Sequence, residues 1–233
     1  MAPTHQAVSL MPIQVILVPA GAEYQAVMRG LKAVPHAPPV VAVPAGPAAF
    51  RAFLETWEDR SRFEDQGILL IGLGGSLSPQ HSVGDGLLLE QVWDASAGDG
   101  AKGYPCDRTL TDELAQRLGV SVERGVTCDR VITTVAEKGR LGNRYQAAVV
   151  DMESAVLLEA MPQAKVAILR VISDDCSHDL PDISGAIGPD GKLRADTLAR
   201  SFLKRPVAAL KFISGSLQAL KTLEQITLVL FQQ

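Results

Sequence analysis

Acidic side chains recur in this chain where a buried strand is expected to stop. In Leu169-Arg170-Val171-Ile172-Ser173-Asp174-Asp175 an apolar run ends abruptly on polar residues. A carboxyl at such an end, partly withdrawn from water, has its charged form disfavoured and becomes able to donate a proton. An Asx turn or a helix cap would use the same residue without chemistry. In Val149-Val150-Asp151-Met152-Glu153-Ser154 a second apolar run opens a helix. There Glu153 is able to accept hydrogen bonds from two neighbouring hydroxyls, and Met152 offers a soft apolar surface. The simpler reading makes Asp151 a helix cap and Glu153 a partner of the helix dipole. A third block, Ile71-Gly72-Leu73-Gly74-Gly75-Ser76-Leu77, runs into Ser78-Pro79 and then Val83-Gly84-Asp85, and reads as a strand giving way to a small-residue turn. Backbone N–H groups of such a turn are open to a ligand, with Gly74 and Gly75 as candidate contacts. Glycines serve tight packing more often than catalysis.

These blocks have to be held by the elements around them. Short runs rich in β-branched residues predict strands over 13–18, 40–43, 68–73, 87–92, 147–150 and 166–172, and helical spacing predicts helices over 24–31, 48–59, 111–118, 135–141 and 153–161. Such alternation is the pattern of an α/β domain. In open α/β sheets ligands collect at the carboxyl ends of strands, where all three blocks stand. The Pro-rich stretch from Pro35 to Pro47 encloses the strand over 40–43 and reads as a connection within one domain. From Lys192 onward the composition turns basic: Lys192, Arg194, Arg200, Lys204, Arg205, Lys211 and Lys221 face only Asp196 and Glu224. Residues 1–191 are therefore read as the α/β domain and 192–233 as a basic amphipathic helical tail of the same domain. The tail's apolar positions either pack on the core or, with Lys204, Arg205 and Lys211 beside them, lie at a membrane surface.

Bulk properties narrow the classes of function. The 233 residues are 47% apolar with only 5% aromatic, which suits a core of Val, Leu, Ile and Ala under a sheet flanked by helices. A net charge of −4 and a pI near 5.6 exclude a general nucleic-acid binder. Cys106, Cys128 and Cys176 are too few and too scattered for a disulfide framework or a structural zinc site. His5, His36, His81 and His178 have no ligand spacing, so no metal is implied. The apolar stretch from Met11 to Ala20 follows no Lys or Arg and is too short to span a bilayer, so a cytoplasmic protein is expected.

In order and spacing, the three blocks together resemble the signatures of the nucleoside phosphorylase and nucleosidase superfamily. The methylthioadenosine/S-adenosylhomocysteine nucleosidases share a GlyGlyLeu-x-Pro…ValGlyAsp block, an acidic-Met-Glu block opening a helix, and an Arg-x-Ile-Ser-Asp block ending a strand. Here these read Gly75-Ser76-Leu77-Ser78-Pro79 with Val83-Gly84-Asp85, then Asp151-Met152-Glu153, then Arg170-Val171-Ile172-Ser173-Asp174. The stretch Thr133-Thr134-Val135-Ala136-Glu137-Lys138 is more similar to the hopanoid-associated phosphorylases. So are Leu180-Pro181-Asp182, Pro189-Asp190-Gly191-Lys192 and Lys204-Arg205-Pro206.

The resemblance implies a three-layer α/β/α domain around a mixed twisted sheet and cleavage of the N-glycosidic bond of an adenosine-like nucleoside such as adenosylhopane. It implies Asp174 as general acid at purine N7 with Ser173 orienting it, Glu153 on the ribose hydroxyls, Met152 on the sugar face, and Val131 and Ile132 against the base. Glu23 would activate the nucleophile, although the local register allows a slip onto Tyr24 and a first-turn helix acid is an equal reading. Leu73 stands where relatives carry a small hydroxyl residue, which leaves water and phosphate both open as nucleophile. No cofactor is implied beyond phosphate as a possible co-substrate, and a homodimer or larger assembly is expected. The alternatives are a methylthioadenosine/S-adenosylhomocysteine nucleosidase and a catalytically silent nucleoside-binding protein.

Overall fold

The computed structural model describes residues 13–183, 188 and 194–232. In chain order the elements are β1 (Ile13–Pro19), α1 (Ala22–Leu31), β2 (Val40–Val43), α2 (Pro47–Thr56), β3 (Gly67–Ser76), β4 (Gly86–Asp94), β5 (Lys102–Pro105), α3 (Arg108–Leu118), β6 (Ser121–Thr127), α4 (Val135–Tyr145), β7 (Val149–Asp151), α5 (Ser154–Ala160), β8 (Lys165–Asp174), α6 (Ala195–Lys204) and α7 (Pro206–Phe231). His5 and the Pro189-Asp190-Gly191-Lys192 motif lie outside the described residues.

All eight strands form one mixed sheet with the path β2-β1-β3-β7-β6-β4-β5, and β8 pairs with both β3 and β4. The pairings β3·β8, β8·β4, β4·β6, β6·β7 and β7·β3 close on themselves, so the middle of the sheet curls into a ring. Successive side chains of a strand point to opposite faces. Accordingly Val15, Leu17, Leu70 and Ile168 join Phe50 and Leu54 of α2 and Leu157 of α5 in one core layer. Ile16, Val18, Leu69 and Leu169 join α1, α3 and α7 in the other. Both faces are covered, which is why β1, β3 and β8 carry continuous rather than alternating apolar runs. The expected α/β/α sandwich is the observed one.

The glycine-rich block departs from its reading. Instead of breaking into a turn at Gly72, β3 continues to Ser76, parallel to β8 as far as Gly75, opposite Asp174, and its last two residues pair antiparallel with β7. A register shift between Gly74 and Gly75 lets it swing from one neighbour to the other. The glycines make that route passable: a Cβ at Gly74 would sit 2.6 Å from Val149 Cγ2, and one at Gly75 would sit 2.9 Å from Asp174 Oδ2. Close packing accounts for the absence of a side chain at both positions. Two further corrections concern elements with weak apolar signals: β5 and β6 are strands the periodicity did not predict, and the helix expected over 48–59 stops at Thr56, before Trp57 takes an extended backbone.

Helix α7 binds the tail to the sheet. A Cβ at Gly30 of α1 would meet Thr227 Cβ at 2.9 Å, so the two helices cross in near backbone contact, and Arg29 Nε donates to Glu224 at 2.7 Å. Farther along, Gly215 lies against the carbonyl of Ser173, which seats α7 over the end of β8. The core-facing positions of α7 are Ala209, Gly215, Ala219, Leu223, Thr227 and Leu230. Leu203 at the end of α6 and Val207, Leu210 and Leu217 of α7 instead point outward, Leu203 being 82% exposed. Among the described residues no helix is long and apolar enough to cross a membrane.

Candidate active site

The carboxyl ends of β1, β7 and β8 open into one cleft of about 410 Å³, and each delivers an acidic side chain to it: Glu23 just beyond β1, Glu153 just beyond β7, and Asp174 as the last residue of β8. Met152, Ser173, Gly74, Gly75, Val131 and Ile132 line the same cleft, so every residue expected at the site from sequence is brought there. Of the two registers open at the first strand, Glu23 lines the cleft, while Tyr24 packs beside the core layer.

At the floor lies Arg170, fully buried in the middle of β8. A guanidinium in such a place requires counter-charges. Its Nε donates to Asp151 Oδ2 at 2.7 Å, its Nη2 donates to Ser154 Oγ at 3.1 Å, and Nη2 lies 3.5 Å from Glu153 Oε2. Asp151 is therefore more than a helix cap: it also accepts from Thr127 Oγ1 at 2.6 Å and from Ser154 Oγ. Arg170 Nη1 is buried without a protein acceptor. It lies against Gly72, where a Cβ would sit 2.7 Å from it and 2.7 Å from Glu23 Oε1.

Glu23 Oε1 accepts the backbone N–H of Leu73 at 2.6 Å. Burial pushes this carboxyl up to about 7; the Leu73 N–H opposes the rise, and the nearby charge of Glu153 adds to it. Glu153 is also raised by burial, with Arg170 pulling against the shift. Its Oε1 accepts the N–H of Gly46 at 2.8 Å, in a turn whose φ of 88° favours glycine. Glu23, Asp151 and Glu153 thus surround a single guanidinium, and the ionised form of either glutamate would set negative charge where a cation develops.

At the other end of the cleft, Asp174 has both oxygens occupied. Ser173 Oγ donates to Oδ1 at 2.8 Å, and the ammonium of Lys138 donates to Oδ2. Lys138, fully buried on α4, also donates to the carbonyl of Asp175 at 2.6 Å. Sequence reasoning quoted Lys138 within a motif but gave it no role, and gave none to Arg170. A signal existed for each: Lys138 shares its helix face with Leu141 and Tyr145, where an apolar residue is due, and Arg170 interrupts an otherwise apolar strand. The described residues contain no His, Cys, Asp and Glu cluster fit to hold a metal ion. His178 is a solvated loop residue hydrogen-bonded to Ser177 Oγ at 2.6 Å.

Known proteins share this arrangement of chain. The family model of the phosphorylase superfamily matches residues 43–204. Futalosine hydrolase of Thermus thermophilus is 33% identical over 126 residues, 46% of this chain and 56% of that protein, so the chain spans about half the length of the curated relative it matches. Among solved structures, the 5′-methylthioadenosine/S-adenosylhomocysteine nucleosidase of Helicobacter pylori with butyl-thio-DADMe-Immucillin-A superposes with a TM-score of 0.67 at 16% identity, over 93% of this chain and 96% of that one. The futalosine hydrolase of Helicobacter pylori gives 0.66 at 16% identity, over 94% and 97%. At these identities the structural likeness is one of fold.

Proposed function

The chain belongs to the phosphorylase superfamily, and from that premise we propose that it hydrolyses the N-glycosidic bond of a purine nucleoside, releasing the base from an adenosine-like substrate with an apolar 5′ substituent. The observation that carries this reading is the convergence of Glu23, Glu153 and Asp174 on one cleft from the ends of three strands. Asp174, oriented by Ser173, delivers a proton to N7 so that the base leaves neutral. Glu153 holds the ribose hydroxyls while Met152 packs on the sugar, and an ionised glutamate of the floor stabilises the oxocarbenium-like ribose as the C1′–N9 bond breaks. Glu23, with a pKa near 7, accepts a proton from a water held against its carboxylate in the cleft. That water, as it loses its proton, bonds to C1′.

Hydrolysis is favoured over phosphorolysis by the same floor. A phosphate would enter a space already bounded by the carboxyl groups of Glu23 and Glu153, which oppose an anion whenever they are ionised. An apolar 5′ substituent is favoured by the wall that Ile183, Leu198, Phe212 and Leu220 build at the cleft, mostly from the tail. With the tail's similarity to the hopanoid-associated phosphorylases, this supports adenosylhopane ahead of methylthioadenosine.

The test is to incubate purified protein with adenosylhopane, methylthioadenosine and inosine, each with and without phosphate, and to measure free base and sugar product. Phosphate-independent release of adenine, fastest from adenosylhopane, is the expected result. A strict phosphate requirement would overturn hydrolysis, a preference for methylthioadenosine would overturn the lipid substrate, and no release from any of the three would leave a nucleoside-binding protein.

A further inference from the structure

The reaction proposed above consumes a proton at the base, and the residue that hands it over, Asp174, sits against a fully buried ammonium. Building on that reading, we infer that Lys138 both positions Asp174 and supplies the proton that Asp174 passes to the leaving purine.

The geometry is specific. Lys138 reaches from α4 to the carboxyl end of β8 and donates to Asp174 Oδ2 and to the Asp175 carbonyl, while Ser173 Oγ holds Oδ1. Gly75 presses on the pair from β3, since a Cβ there would lie 2.9 Å from Oδ2. Asp174 is thus fixed on three sides, with the remaining side open to the cleft. Its side chain is 11% exposed, whereas that of Lys138 is 0%. A proton for the base must therefore pass through Asp174. Lys138 is the donor in contact with it that also carries a positive charge.

The step balances. As the C1′–N9 bond breaks, its electron pair passes to the base, N7 takes a proton from Asp174, and Asp174 takes one from the Lys138 ammonium, which becomes a neutral amine. The attacking water gives its proton to Glu23. After release of base and sugar, Lys138 regains a proton from solvent and Glu23 returns one, so no net charge is left on the protein. An ammonium on a flexible stem is able to give up a proton in a buried site; a guanidinium is not.

The test compares Lys138→Met and Lys138→Arg with the wild type on two probes. Methylthioadenosine needs its base protonated, whereas 4-nitrophenyl β-D-ribofuranoside expels a stable phenolate that does not. Both variants should lose about 10²-fold or more on methylthioadenosine, the range of general acid catalysis, and less than about 5-fold on the nitrophenyl riboside. Equal losses on both probes would reduce Lys138 to a structural residue, and recovery of methylthioadenosine turnover by Lys138→Arg would mean that charge alone suffices; either overturns the inference. Should Lys138→Met fail to fold in thermal melts, Lys138→Gln keeps an N–H for Asp174 and carries the same comparison. A wild type that releases nitrophenolate but no purine overturns the base pocket and the proton supply with it; a wild type inert to both overturns the proposed activity itself.

Discussion

Arg170 Nη1 and Glu23 Oε1 lie the same 2.7 Å from the point where a side chain at Gly72 would begin. Fifty residues separate Glu23 from its partner Leu73, and nearly a hundred separate Gly72 from Arg170, yet the three meet because β1, β3 and β8 lie side by side in register. Gly72→Ala is predicted to push both polar groups aside and so to displace the carboxylate that holds the water. Overpacking a filled interior costs about 1–3 kcal/mol, and a displacement near 1 Å in a site costs about 10²-fold in rate. Thermal melting and base release together check this, and a Gly72→Ala enzyme with near wild-type turnover would place the water elsewhere.

The raised pKa of Glu23 predicts opposite pH trends for activity and stability. As a base Glu23 works when ionised, so kcat/KM should rise about tenfold per pH unit below about 7 and level off above it. Its folded pKa lies above its ordinary 4.5, so the folded state holds that proton the more tightly. The stabilisation is fully present below pH 4.5 and is lost as the pH climbs through about 7. A shift of this size corresponds to ~3 kcal/mol, and partial exposure of the residue discounts the loss to about 1–2 kcal/mol. Glu23→Gln should therefore abolish most activity and flatten the stability profile across that window. A wild-type rate that stays flat from pH 5.5 to 8 would remove Glu23 from the base role.

Asp174→Asn is predicted to reduce adenine release by about 10²–10⁴-fold, because the amide has no acidic proton to give. It should also lower the melting temperature, since the buried ammonium of Lys138 loses its counter-charge and breaking such a pair costs about 3 kcal/mol. The amide oxygen still accepts a hydrogen bond, so the chain should fold. Retention of more than about a tenth of wild-type turnover would exclude Asp174 as the acid.

Fold and site differed in how far the sequence exposed them, and the difference has physical causes. Strands β1, β3 and β8 are buried on both faces and so read as mostly apolar runs, Arg170 being the one charge inside β8. In β6 the run is interrupted by Glu123 and Arg124, which find partners at the surface, Arg124 Nε donating to Glu90 at 3.0 Å and Glu123 lying 3.2 Å from His81; β5 is four residues with a Gly and a Pro at an edge. Asp174 and Glu153 stood out as candidates because each lies where an apolar run gives way to charge, Asp151 opening the second block, and their expected roles came from the resemblance. Lys138 and Arg170 did not stand out, because their meaning depends on the partners that tertiary structure brings to them. The extent of β3 was misread for a related reason: glycines are ambiguous between turn and tight strand packing until the neighbour is known, and here the neighbours are Val149 and Asp174.

The outward face of the tail leads to the final prediction. Leu203, Val207, Leu210 and Leu217 are 62–82% exposed, and the exposed cations Lys204, Arg205 and Lys211 stand among them. Leu203 and Lys204 end α6 and the other apolar residues belong to α7; Leu198 of α6 and Phe212 and Leu220 of α7 line the cleft, so the same two helices carry both the outward face and most of the apolar wall of the pocket. An apolar stripe with basic neighbours suits an anionic lipid surface, where it would bring the cleft to a lipid-linked nucleoside. The protein should therefore co-sediment at low salt with vesicles of phosphatidylglycerol and phosphatidylcholine but not with phosphatidylcholine alone. Replacing Lys204, Arg205 and Lys211 by Gln should weaken that binding by about 100-fold, at about 1 kcal/mol per charge, and salt should weaken it likewise. Turnover of methylthioadenosine should be unaffected by the triple replacement, since none of the three residues reaches the cleft. Light scattering on a Leu203→Ser, Val207→Ser, Leu210→Ser variant separates the remaining occupant: conversion of an oligomer to a monomer, without any vesicle binding by the wild type, would assign the stripe to a second copy of the chain instead.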